Sequence, residues 1–152
     1  MTALFMAFGV VGGAIGIVYA HELMHQGPRW ERWLGDLLMG MVLYGHFRSE
    51  HLLVHHRYVG TPRDPVTARY NEGFHRFYPR VLRECLVSAW RAEAALLARK
   101  GRPVWHRSNP FWRYTLLAAG FLALAGVIGG ASGVALYLVM AGTAILHLEV
   151  IN

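Results

Sequence analysis

Two long stretches without formal charge constrain this chain more than any other feature. Residues 3–20 (ALFMAFGVVGGAIGIVYA) carry no acid or base over 18 positions, and residues 114–148 carry none over 35, apart from the titratable His147. An apolar helix of that first length suffices to cross a hydrocarbon core about 30 Å thick. A straight helix over 114–148 would extend about 50 Å, too far for one crossing. Gly129, Gly130, Ser132 and Gly133 near its middle instead predict two spans, about 114–129 and 133–148, joined by a tight turn. A secretory signal is the weaker reading of 3–20. The start, MTALF, has no basic residue, and the run enters HELMH without a cleavage site of small residues.

The charges occupy what is left. All 15 Lys and Arg lie between Arg29 and Arg113. Basic residues collect on the cytoplasmic side of membrane segments, which predicts a cytoplasmic region over about 21–113. A net charge of +6 raises nucleic acid as a partner. The basic residues, however, are interleaved with apolar runs and follow no nucleic-acid-binding module, so no nucleic acid is expected. Membrane lipid headgroups or an acidic protein suit the charge better. The single cysteine, Cys85, permits neither an internal disulfide nor a thiolate cluster.

The expected fold class is therefore all-α: a helical integral membrane protein whose spans flank cytoplasmic or interfacial amphipathic helices, with 1–152 as one partial domain. In the middle region, Trp33, Leu34, Leu37, Leu38 and Met41 recur at helical spacing and predict an amphipathic or partly inserted helix over 31–57 that leads into the histidines at 51–56. The segment GTPRDP (60–65) breaks it, because two prolines and a glycine fall within six positions. A second amphipathic helix is predicted from Phe74 to Lys100. Val81, Leu82, Cys85, Leu86 and Ala89 form its apolar stripe, Arg80, Arg83, Glu84 and Arg91 lie away from it, and Gly101 and Pro103 end it. In the first span, Gly12, Gly13 and Gly16 suggest close helix packing.

Five histidines carry the chemistry. His21 and His25 in HELMH stand four apart, so on a helix both imidazoles leave one face. His51 and His55 repeat that spacing, and His56 adds a neighbour on an adjacent face, an arrangement able to address two metal ions. Neutral imidazole binds zinc, iron, copper and nickel. His46, His75, His106 and His147 lack such spacing and read as structural or solvated. HELMH also fits a zinc metalloprotease with Glu22 as general base. That chemistry needs one further ligand, whereas the second cluster supplies three histidines, so the protease is the lesser reading.

HELMH, YGHFRSEHLLVHHRYVGTPRDPVTAR (44–69) and FHRFYPRVLRE (74–84) together resemble the membrane-bound alkane hydroxylases of the fatty-acid desaturase and hydroxylase superfamily. The resemblance runs from about residue 10 to the last residue. It implies that His21 and His25 form a first ligand pair, and that His51, His55 and His56 form a second cluster, in a di-iron centre. No catalytic residue beyond the ligands is implied. The implied reaction is terminal hydroxylation of an alkane or related hydrocarbon with O2, in the bacterial inner membrane, with the metals on the cytoplasmic side. Electrons would come from rubredoxin, an acidic iron–sulfur protein that Arg76, Arg80 and Arg83 are expected to face. A desaturase or another lipid hydroxylase on the same scaffold, and a non-catalytic membrane remnant, are the alternatives. The family carries further ligand histidines beyond LEVIN, and Asn152 corresponds to the first residue of the earlier of those motifs. The chain is thus expected to be part of a longer enzyme. It departs from the family pattern at Gln26 and at Arg63, neither of them a ligand.

Overall fold

The computed structural model describes residues 1–151, and every regular element among them is a helix. Asn152, the position matched to a further ligand motif, lies outside the described residues. The chain divides into two units: residues 1–45 with 113–151, and residues 46–112.

The first unit is built on two apolar helices. Helix α1 (Thr2–His25) and helix α5 (Phe111–Ile151, of which 113–151 belong here) are both long and apolar enough to cross a membrane. Their large side chains point outward: Leu4, Phe8 and Ile15 on α1, and Leu116, Val127 and Ile128 on α5, are exposed. A surface of that kind suits lipid, which solvates apolar side chains, and is costly in water. The small residues meet inside. A Cβ placed on Gly9 would lie 2.6 Å from the Met140 carbonyl oxygen, and one on Gly13 would lie 2.6 Å from that of Ala144. Helix association in lipid depends on such close backbone approach, because hydrophobic burial gives little driving force there. The packing expected of Gly12, Gly13 and Gly16 rests mainly on Gly13. Gly16 has no neighbour within 4 Å of a Cβ, and Gly9 contributes instead.

Residues Gly12–Gly16 of α1 wind as a π-helix. Helix α5 is interrupted at Gly130 (φ 58°, ψ −149°), a conformation open to glycine alone at little steric cost. Beyond it, Val134 packs on Gly126, and a Cβ on Gly133 would strike the Ala125 carbonyl oxygen.

Helix α2 (Arg29–Met41) starts after the extended Pro28. It crosses α1 at Gly35, where a Cβ would sit 3.1 Å from the Ala20 carbonyl oxygen. The buried Asp36 carboxylate pairs with Arg113 at 2.7 Å, which supplies the countercharge a buried acid needs. The expectation of one helix through 31–57 is corrected here. Leu43 adopts φ 59°, the Leu43 amide donates to the Gly40 carbonyl, and the Tyr44 amide donates to that of Met39. This pair of bonds closes a helix C-terminus around a left-handed residue. Tyr44 is buried and its hydroxyl donates to Glu149 at 2.9 Å, which holds the bend in place.

In the second unit, helix α3 covers 47–58 as Phe47–Glu50, a π turn His51–His55, and His56–Tyr58. A loop over 59–73 leads to helix α4 (Phe74–Arg99). Val81 and Cys85 on α4 are fully buried against Phe77 and the loop residue Val66. Leu86, expected on the buried stripe, is exposed. Gly101 at φ 63° ends α4, with its amide and that of Arg102 returning to the Ala98 and Leu97 carbonyls.

Arg80 corrects the expectation of a docking face. Its guanidinium is mostly enclosed and clamps the loop to α4: it donates to both Glu72 oxygens at 2.6 Å, to the Pro65 carbonyl at 2.8 Å and to that of Thr67 at 3.3 Å. Hydrogen bonding from Arg80 holds the Glu72 carboxyl at about 2, below its usual 4.5. The stabilisation is therefore complete above pH 4.5 and is lost as pH falls through about 2.

Two substitutions test this packing. Gly13→Leu should lower stability in detergent by about 1–3 kcal/mol, the usual cost of overpacking, while Gly16→Ala should be neutral or slightly stabilising; thermal unfolding of the two variants compares them. Arg80→Met removes bonds from a charged donor to loop carbonyls, each worth about 1.5–3 kcal/mol. Amide hydrogen exchange over 66–72 should then accelerate about tenfold or more, and unchanged protection would show that Arg80 does not hold the loop.

Candidate metal centre

The candidate ligands fall into one set on each unit. In the first unit, His21 and His25 occupy the last turn of α1, which ends where Gln26 turns extended (φ −70°, ψ 151°). Their rings meet edge-on with centroids 4.8 Å apart, the consequence of a four-residue spacing on an α-helix. His21 Nδ1 lies 3.3 Å from a Glu22 carboxylate oxygen, which can accept a hydrogen bond from Nδ1–H and so keep Nε2 as the nitrogen that ligates. Arg32 donates to the carbonyls of Gln26 (3.0 Å) and Gly27, so the helix end that carries the pair is capped by a cation.

In the second unit the three histidines of α3 converge. Sequence spacing assigned His56 to a face adjacent to His51 and His55. The π winding over His51–His55 changes that, because each turn takes up one extra residue and the fifth position returns towards the first. His51 and His56 approach with Nε2 atoms 2.9 Å apart, while His51 and His55 stack with centroids at 5.2 Å. Phe47 stacks on the other side of His51 at 5.3 Å. His51 is buried and His55 half-buried.

The remaining orientation comes from the GTPRDP loop. Asp64 is fully buried, and its carboxylate accepts from the Val66 amide at 3.1 Å, the Thr67 hydroxyl at 2.6 Å and His55 Nδ1 at 2.9 Å. An ionised carboxylate only accepts hydrogen bonds, so it fixes the proton of His55 on Nδ1 and leaves the Nε2 lone pair available. A carboxylate behind an imidazole is the arrangement that orients metal-ligating histidines. Thr67 Oγ1 in turn accepts the Gly60 amide at 3.1 Å. Sequence reasoning saw the turn but missed this role of Asp64. The available signal was an acid between two loop prolines nine residues after a candidate ligand.

The donor set fits a first-row transition metal. Two imidazole nitrogens bound at right angles to one ion, each about 2.1 Å from it, sit about 3 Å apart, and the His51–His56 separation of 2.9 Å matches. The other histidines are held by local bonds or exposed. His106 Nδ1 accepts the Ser108 amide, His147 Nδ1 donates to the Thr143 carbonyl, and His75 is exposed. Burial pushes His46 down to about 4, so it is neutral at neutral pH.

A family model described as fatty acid desaturase matches residues 1–152. Alkane 1-monooxygenase 2 of Alcanivorax borkumensis is 37% identical over 97% of this chain and 38% of its own length. Alkane 1-monooxygenase 1 of Pseudomonas aeruginosa is 37% identical over the same shares. The hydroxylase component of xylene/toluene monooxygenase from Pseudomonas putida is 30% identical over 90% of this chain and 36% of its own. The chain thus spans well under half the length of these relatives.

The carboxylate–imidazole contact has a direct test. Nitrogen-15 NMR of the metal-free protein should report His55 protonated on Nδ1, and Asp64→Leu should move most of the population to the Nε2–H form. An unchanged tautomer in the variant would show that Asp64 does not orient the ring.

Proposed function

The chain belongs to the fatty acid desaturase family, and on that footing we propose that it forms part of a di-iron membrane monooxygenase that hydroxylates the terminal carbon of alkanes or related hydrocarbons. The reading is carried by the second histidine cluster: three imidazoles on one π-wound helix, two with Nε2 atoms 2.9 Å apart and the third fixed by a buried carboxylate. The names of the relatives, alkane 1-monooxygenases over 97% of this chain, support the substrate class.

In this proposal His21, His25, His51, His55 and His56 supply five of the metal ligands, and the part of the protein corresponding to the rest of the relatives' length supplies the others. Bound iron would supply the activation of O2 and the insertion of one oxygen atom into a C–H bond. The protein's own residues perform the remaining tasks. Glu22 and Asp64 hold protons on the Nδ1 atoms of His21 and His55, which directs both Nε2 lone pairs outward. Phe47 stacks on His51 and limits the rotation of its ring. The apolar surfaces of α1 and α5 admit a hydrocarbon from lipid without the desolvation that a charged wall would demand. We assign the reaction to the bacterial inner membrane with the histidines on the cytoplasmic side, because every Lys and Arg falls between the apolar segments. Electrons would reach the site from an acidic rubredoxin-type donor, whose encounter the net charge of +6 favours.

The ligand assignment is tested in a full-length chimera that carries the remaining sequence of the Alcanivorax borkumensis relative. Elemental analysis of detergent-purified protein should find about two irons per chain, as a di-iron centre requires, and the enzyme should convert an n-alkane to the 1-alcohol. His55→Ala and His56→Ala should each remove most of the iron and reduce product by at least about a hundredfold, the upper range for loss of a site-supporting residue. His106→Ala should retain both. Full iron in either cluster variant would refute the assignment.

A further inference from the structure

The second unit carries a groove of about 660 Å³ between α3, the GTPRDP loop and α4, and no metal ligand proposed above lines it. Its rim holds five arginines: Arg57, Arg63, Arg83, Arg91 and Arg99, all exposed. On α4 the last three are spaced eight residues apart, about 12 Å per interval along the axis, on a ridge of i+4 positions that winds about 80° around the helix from one arginine to the next. Among the described residues, none of the five pairs with a carboxylate. Glu84, the one acid lining the groove, is engaged by Arg80 at 3.0 Å and Arg69 at 3.1 Å. Arg57 and Arg63 both approach the Tyr58 ring, at 5.3 Å and 5.9 Å from its centroid, which brings two cations to one side chain. Like charges gathered without a counterion favour an anion as ligand.

The groove is also apolar below its rim. Leu53, Val54, Val87 and Leu96 line it, with Ala92 and Ala95 between the arginine positions of α4. A small inorganic anion would leave that surface uncovered, whereas an anion with a hydrocarbon tail uses both parts. A second feature of the same unit suits a headgroup region. Trp90 on α4 packs against Trp105 (5.3 Å) and Phe111 (5.0 Å), and Trp105 against Trp112 (6.2 Å). Trp105 and Trp112 remain 67% and 52% exposed, at the entry to apolar helix α5. Tryptophans gathered at the end of a membrane helix mark the headgroup level. A docked acidic protein would require neither the apolar floor nor the indole cluster.

We propose that this groove is a binding site for an anionic phospholipid of the bilayer, with the phosphate held by the arginine rim and an acyl chain lying on the Leu53–Val87–Leu96 floor. Basic pockets next to membrane helices recognise such headgroups by the same charge logic.

The test uses native mass spectrometry of the detergent-purified, delipidated chain, given equal amounts of phosphatidylglycerol and phosphatidylcholine with identical acyl chains. One phosphatidylglycerol should be retained about tenfold in preference to phosphatidylcholine. The double variant Arg83→Gln with Arg91→Gln should lose that preference. Arg29→Gln with Arg107→Gln, which removes the same charge away from the groove, should keep it. Both variants change exposed side chains without ion pairs, and an unaltered circular dichroism spectrum checks that they fold. Equal retention of the two lipids, or an undiminished preference in the groove variant, would overturn the proposal. Equal competition by glycerol phosphate, which lacks acyl chains, would assign the groove to a soluble phosphate instead. Unchanged lipid retention with loss of binding to an acidic peptide would assign it to a protein partner.

Discussion

The buried Asp64 carboxylate is the interaction on which the second unit depends. It lies out of water and accepts from a backbone amide, a hydroxyl and an imidazole, so each donor is held in a low-dielectric setting where hydrogen bonds are strong and directional. Loops usually trade precision for mobility. This loop does not, because Arg80 grips the Pro65 and Thr67 carbonyls on either side of Val66. The orientation of His55 is thus set by two polar networks in series. The inner one fixes the proton on the ring, and the outer one fixes the loop that carries the acid.

Packing in the first unit follows a different physical rule. There the contacts between helices are made by backbone and small side chains, at Gly9 and Gly13 against α5 and at Gly35 against α1. Bulky apolar residues face outward, the reverse of a water-soluble bundle. The buried acids of this unit each have a partner: Arg113 meets Asp36, and the Tyr44 hydroxyl meets Glu149. Each pair links segments far apart in sequence, so the few polar groups specify which helices meet while the glycines set how closely.

What the sequence made legible was governed by period and composition. The apolar runs, the four-residue histidine spacings, the break at GTPRDP and the end of α4 at Gly101 all follow from local rules, and the structure contains each of them. What it did not make legible depends on tertiary partners. Leu43 in a left-handed conformation is unfavourable by itself, and it is held by the burial of Tyr44 and its bond to Glu149. Arg80 reads as a surface cation until the loop folds back and places two carbonyls and Glu72 around it. Leu86 fits the apolar stripe on a helical wheel, yet it is exposed because the core of the unit closes around Val66, Phe77, Val81 and Cys85.

The π turn shows why spacing alone misjudged His56. On a regular α-helix, residues five apart point about 140° away from each other, so His51 and His56 would diverge. Winding with bonds from residue i to i+5 spreads that extra residue over the turn and restores the fifth position to the same side. His55 stays close as well, stacked on His51, because its ring is drawn to Asp64 rather than left to follow the helix. One inserted residue and one buried acid therefore convert a sequence with two imidazoles on a face into a surface with three. The cost is a helix with weaker internal bonding, and the stacking of Phe47 within it, together with the Ser49 bond to Glu93 and the loop network outside it, offsets that cost. A cluster with this construction keeps its geometry only while its supports are intact, which ties the chemistry of the site to the folding of residues 59–73.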